Sequence, residues 1–213
     1  MNVVRRRSVD MTVWRDSVLY RGGAAAMCAA MAVAVGCAAA GGGASSPYQP
    51  MTEADRNQAE ALRLSREAAT KLDSDPEGAE KLLRAALTAD LYCGPAHNNL
   101  GALYLRWSPP RLYEAANELE WACKLMPGHP DPRMNLAMTL EAAGRSTDAL
   151  ASYRSALEVQ PGYIPAVQAM TSLQLRSDKP DDSTGENLRE IALRGTTPQW
   201  REWAKGQMLA RAK

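Results

Sequence analysis

Phenylalanine is absent from the 213 residues, and aromatic residues of all kinds make up only 6%. Runs of β-branched residues are scarce and Ala is abundant, a balance that favours helix and argues against a sheet protein. Two His and four Cys leave little material for metal or nucleophile chemistry. An excess of charge is missing too. The 25 Lys and Arg against 24 Asp and Glu give +1, which offers neither a basic face for nucleic acid nor an acidic tail. A Gly-rich phosphate loop is also lacking, since Gly41-Gly42-Gly43 reads as tether. What is present is 46% hydrophobic and 23% charged residues, enough for a core and too apolar for disorder throughout.

The N-terminal part reads as an address. Arg5, Arg6, Arg7, Arg15 and Arg21 precede an uncharged run from Gly22 to Ser46, whose apolar centre, Ala24 to Val35, is 12 residues long. That length suits the h-region of a secretory signal and falls short of the ~20 residues that span a bilayer. Ala34-Val35-Gly36-Cys37 resembles the bacterial lipobox, with Ala34 standing where Leu is usual. The resemblance implies a signal peptide over 1–36 and lipidation of Cys37; an ordinary signal cleaved after Ala40 and an uncleaved anchor are the competing readings. Without residues 1–36 the chain keeps 20 basic and 22 acidic residues, so attraction to anionic lipid is not the anchoring force. The lipid chains would serve instead. Residues 37–51 follow as the lipidated Cys and a Gly-, Ser- and Pro-punctuated tether.

The remainder repeats itself. Ala115, Leu119, Ala122 and Pro127 recur 34 residues later as Ala149, Tyr153, Ala156 and Pro161. Ala79, Leu83 and Ala86 precede the first set by 36, and Pro109-Pro110 account for the two extra residues. Upstream in each unit lies a second apolar set, Leu100, Gly101 and Tyr104, then Leu136, Ala137 and Leu140. Spacings of three, four and seven mark one helical face, so each unit is two amphipathic helices joined by a turn.

This pattern resembles the tetratricopeptide repeat (TPR) family, built from 34-residue helix–turn–helix units. Asn99-Leu100-Gly101 through Tyr104 matches the first-helix motif, and Asp148-Ala149-Leu150 through Pro161 the second. His97 and Arg133 stand where an aromatic is usual, and the units at about 55–93 and 162–195 fit the pattern poorly. The resemblance implies an all-α fold, a right-handed α-solenoid of about four repeats over 52–195. Residues 196–213 form a C-terminal capping helix, opened by Thr197 at N-cap and Pro198 at N1, with Trp200, Trp203, Ala204 and Met208 on one face.

In that family the first helices line a concave groove that binds an extended peptide or a partner's helix. Mapped by position, the groove here would show Asn98, Asn99, Ala102, Arg106, Asp131, Met134, Asn135 and Met138, with Gln168, Ser172 and Arg176 beyond. An Asn amide suits a peptide backbone and equally a bond between helices. Met134 and Met138 would be adaptable apolar contacts. The Lys positions of the family's carboxylate clamp carry Asn98, Asp131 and Pro165, so that clamp is not expected.

Both His are expected to be structural, His97 at a helix interface and His129 in an inter-repeat turn. Cys93 and Cys123 are expected reduced and packed, Trp121 partly buried or a small convex contact, and Asp178 to Asp182 a turn. The expected function is a membrane-tethered protein-interaction scaffold of the bacterial envelope, facing the periplasm, with the outer membrane mildly preferred after Ala38. It would take a protein or peptide partner, with no nucleic acid, metal or cofactor, and no catalysis of its own. A self-associating structural envelope protein is the alternative.

Overall fold

Helices form where the small and apolar residues recur. The computed structural model describes residues 51–211; the leader, Cys37, the tether up to Pro50 and residues 212–213 lie outside the described residues. After a short 3-10 turn at Glu53–Asp55 come α1 (Gln58–Lys71), α2 (Pro76–Ala89), α3 (Gly94–Arg106), α4 (Leu112–Leu125), α5 (Pro130–Ala142), α6 (Ser146–Val159), α7 (Ile164–Arg176), α8 (Thr184–Arg194) and α9 (Pro198–Arg211). No strand occurs among the described residues. The described residues thus form an all-helical repeat solenoid.

Local chemistry sets the helix ends. Proline occupies the first turn of α2, α3, α5, α7 and α9, where its missing N–H costs no helical bond. The Asn57 and Asp75 side chains cap α1 and α2 by accepting from the Glu60 N–H (3.2 Å) and the Gly78 N–H (3.0 Å). Gly144 (φ 77°) and Gly162 (φ 71°) supply the left-handed residues that turn the chain out of α5 and α6. Thr197 accepts from the Trp200 N–H at 3.4 Å, a long version of the expected cap.

Helices pack as consecutive antiparallel pairs, α1 with α2, α3 with α4 and α5 with α6, and each pair stacks on the next. Alanine makes this stacking close. Ala61, Ala68, Ala79, Ala86, Ala96 and Ala115 are fully buried with Leu83 and Leu100 in the first half of the core. Ala137, Ala149, Ala156 and Ala166 are fully buried in the second half, around Met134 and Tyr153. At Gly101 the approach is so tight that an added Cβ would lie 2.5 Å from Leu119 Cγ.

One-repeat separations recur in the bonds between units. Arg106 pairs with Asp73 across 33 residues and Arg176 with Glu141 across 35, while Arg56 pairs with Asp90 at 2.8 Å across 34 residues and closes the first unit on itself. The fourth pair is different. Its first helix, α7, buries four polar side chains, Gln168, Thr171, Ser172 and Gln174. Gln168 is satisfied by Thr196 (2.9 and 3.2 Å) and the Gln174 amide donates to Asp181 (2.6 Å), yet Thr171 Oγ1 and Gln174 Oε1 have no partner. Its second helix, α8, packs with α9 around Leu188, Ile191, Trp200 and Ala204, together with Val167 of α7. The turn between α7 and α8 is held by Asp181, which accepts from Ser183 and Thr184.

Candidate partner-binding groove

The groove expectation rested on side chains of the first helices, and the structure places most of them under cover. Asn98 (0% exposed), Asn99 (1%), Met134 (0%) and Asn135 (0%) are buried, as are Ala102, Gln168 and Ser172. Asn135 Nδ2 donates to Asn98 Oδ1 at 2.9 Å, linking α5 to α3, so the amides serve the helix interface. That corrects their placement as ligand-facing groups. The physical reason is the alanine content: helices that approach this closely enclose a side chain as short as Asn. One acceptor is left over, because Asn135 Oδ1 is buried without a hydrogen bond.

Met138 and Arg106 remain half-buried. Arg106 is already committed, its Nη2 bonded to Asp73, with Nη1 buried and unpartnered. Asp131, also half-buried, accepts from the Tyr163 hydroxyl, whose pKa is driven up by burial and by that carboxylate. Arg176 pairs with Glu141, which also accepts from the fully buried Tyr153 (2.9 Å). Polar groups along these helices thus bind one another across repeats, and Met138, with Pro95, Leu105, Leu136 and Leu140, supplies the partly exposed apolar surface.

Sequence reading overlooked a polar cluster between α2, α3 and α4. Glu80 Oε1 accepts from Tyr104 (2.8 Å), Arg84 (3.0 Å) and Arg111 (3.2 Å), and Arg111 lies 4.0 Å over the Tyr104 ring. Burial acts to raise the Glu80 pKa, but the three donors outweigh it and hold the carboxyl below its usual range. Arg111 directly follows the Pro109-Pro110 insertion, at the N-cap of α4. The repeat register carried the signal, since the two extra residues fall just before Arg111.

His97 is fully buried between the two helices of its unit, with Nδ1 at 2.7 Å from Glu118 Oε2 and Nε2 donating to the Leu91 carbonyl at 2.8 Å. The half-buried Trp121 stacks on it, ring centroids 5.6 Å apart. His129 lies at the α5 N-cap, its carbonyl accepting from Arg133. Cys93 and Cys123 are unpaired, and burial pushes each thiol up to about 11. No group of three or more His, Cys, Asp or Glu able to hold a metal occurs among the described residues.

No protein-family model matches the sequence, and no curated protein matches it. Solved structures do match. A crystal structure of MamA protein is 19% identical with a TM-score of 0.53, the match covering 61% of this chain and 70% of that one. A second crystal structure of MamA is 18% identical with a TM-score of 0.52, covering 71% of this chain and 80% of that one. Likeness at this identity concerns the fold alone, a helical repeat solenoid.

Proposed function

We propose that the chain is a protein-interaction scaffold, tethered through lipidated Cys37 in the bacterial cell envelope and facing the periplasm, with the outer membrane preferred. It holds a peptide segment or helix of a partner against its first helices and performs no chemistry itself. The observation that carries the scaffold reading is the succession of first helices α1, α3, α5 and α7, joined end to end along the row by Arg106–Asp73, Asn135–Asn98 and Arg176–Glu141. A rigid row of helices presents a long surface, and the half-buried Met138 gives it an adaptable apolar contact. The tether rests on Ala34-Val35-Gly36-Cys37. No described helix is long and apolar enough to cross a membrane.

Two experiments test the reading. Full-length protein carrying Met138→Glu should lose copurifying partners from gently solubilised membranes, whereas Tyr113→Ser, on a 68% exposed side chain of α4, should keep them. Retention by Met138→Glu moves the site off the first helices. Cys37→Ser should leave an unprocessed precursor without lipid mass, and unchanged mature mass refutes the anchor. A self-associating structural role is the second reading, favoured by Leu193 (80% exposed) and Leu209 (70% exposed) on the last two helices. Concentration-dependent mass in sedimentation, without copurifying partners, would establish it.

A further inference from the structure

We propose a second binding site, in the cleft between α8 and α9, for an acidic-aliphatic segment of a partner protein. The proposal names the chemistry of one partner and rests on the scaffold reading for its biological meaning. Arginines of the described residues are almost all occupied. Arg56, Arg63, Arg84, Arg106, Arg111, Arg145, Arg154, Arg176 and Arg194 face carboxylates, while Arg133 and Arg201 donate to protein oxygens. Only Arg66, Arg189 and Arg211 have neither a hydrogen bond nor an ion pair, and two of these three converge on one cleft.

That cleft holds about 230 Å³ and is lined by Gly185, Leu188, Arg189, Met208 and Arg211. Its floor is apolar, Leu188 being buried and Met208 packed on the Trp200 cluster. The acids nearby do not neutralise it: Glu190 pairs with Arg194 at 2.7 Å, and Glu186, one turn before Arg189, makes no ion pair with it. Two guanidiniums beside an apolar floor fit a carboxylate adjoining an aliphatic side chain. The volume lies below the ~300–1,000 Å³ of small-molecule pockets, so the cleft takes one or two side chains of a longer ligand. Two cations beside an apolar floor also do not make the extended positive track that a nucleic acid backbone needs.

The test is a titration of the full-length chain in detergent with a fluorescein-labelled, end-capped octapeptide of alternating glutamate and leucine, read by anisotropy. Arg189→Gln with Arg211→Gln should weaken binding at least tenfold, and Arg66→Gln should leave it unchanged. An added Cβ at Gly185 meets nothing within 4 Å, so Gly185→Leu should keep the fold and block the cleft. Equal binding by the double arginine variant or by Gly185→Leu overturns the site. Equal binding of the glutamine version refutes the charge, and of the serine-for-leucine version the apolar floor. Displacement by inorganic phosphate or phosphatidylglycerol vesicles as effective as by unlabelled peptide would make it a general anion or lipid surface and overturn the proposal. A blank copurification sinks the scaffold reading without altering this titration, so the two failures are distinguishable.

Discussion

Replacing glycine by alanine inside a helix ordinarily stabilises it by about 1 kcal/mol, because Gly loses more backbone freedom on folding. At Gly101 in α3 the sign should reverse. The new Cβ would sit 2.5 Å from Leu119 Cγ, 3.0 Å from its Cδ2 and 3.1 Å from the Ala115 carbonyl oxygen, and Leu119 and Ala115 are both fully buried. A backbone oxygen on one side and a core side chain on the other leave α3 no direction in which to yield cheaply. Overpacking of this kind costs about 1–3 kcal/mol, and with a backbone oxygen and a core side chain both in the way the cost here should be about 2–3 kcal/mol, so after the ~1 kcal/mol propensity gain Gly101→Ala should be destabilising by about 1–2 kcal/mol. For a domain of this size that corresponds to a fall in Tm of about 2–8 °C. Gly206 in the middle of α9 is the internal control, since its Cβ would meet nothing within 4 Å. Gly206→Ala should raise Tm by about 2–4 °C. Thermal unfolding followed by far-ultraviolet circular dichroism reads both. A Gly101→Ala protein as stable as the wild type would show that α3 and α4 are not in the close contact described.

Asn135→Ala should cost about 1–3 kcal/mol by leaving Asn98 Oδ1 buried without its donor, and Asn98→Leu combined with Asn135→Leu should cost less than the two singles together, measured by urea unfolding. Glu118→Ala should likewise lower stability by about 1–3 kcal/mol by stripping the fully buried His97 of its Nδ1 partner; a neutral result in the same assay would mean the pair contributes nothing net. Burial raises both thiols from about 9 to about 11, so iodoacetamide should label native Cys93 and Cys123 about a hundredfold more slowly than unfolded chain at pH 8. The sign follows: the folded state binds these protons more tightly, so their stabilising effect is full below pH 9 and is lost between pH 9 and about 11. Alkaline urea titrations of Cys93→Ala with Cys123→Ala should show a shallower decline in that window.

Helix type, pairing and the 34- to 36-residue period were legible along the chain because each is a local property. Ala115, Leu119 and Ala122 announce a buried helical face wherever they occur, and proline announces a helix start. His97 was legible as a packing residue for the same reason, since it falls on the apolar face of α3. The groove was not. Whether Asn98 and Asn135 face a ligand or each other depends on the distance between α3 and α5, which neighbouring residues in the chain do not report. Nor does a sequence show that Arg111, after its proline insertion, returns to Glu80 31 residues earlier, or that Asp181 collects Gln174, Ser183 and Thr184 into a turn.

The sequence by itself determined that this protein is helical, repeated and built on small residues, because periodicity and propensity act over a few residues at a time. Only the tertiary structure decided which polar side chains are spent holding the repeats together and which are left over. Arg106, Arg176, Asn98 and Asn135 are consumed by partners about one repeat away, whereas Arg189 and Arg211 meet across α8 and α9 with no counterion. Pairing is a matter of distances of a few ångströms between residues far apart in sequence, and those distances exist only once the helices have stacked.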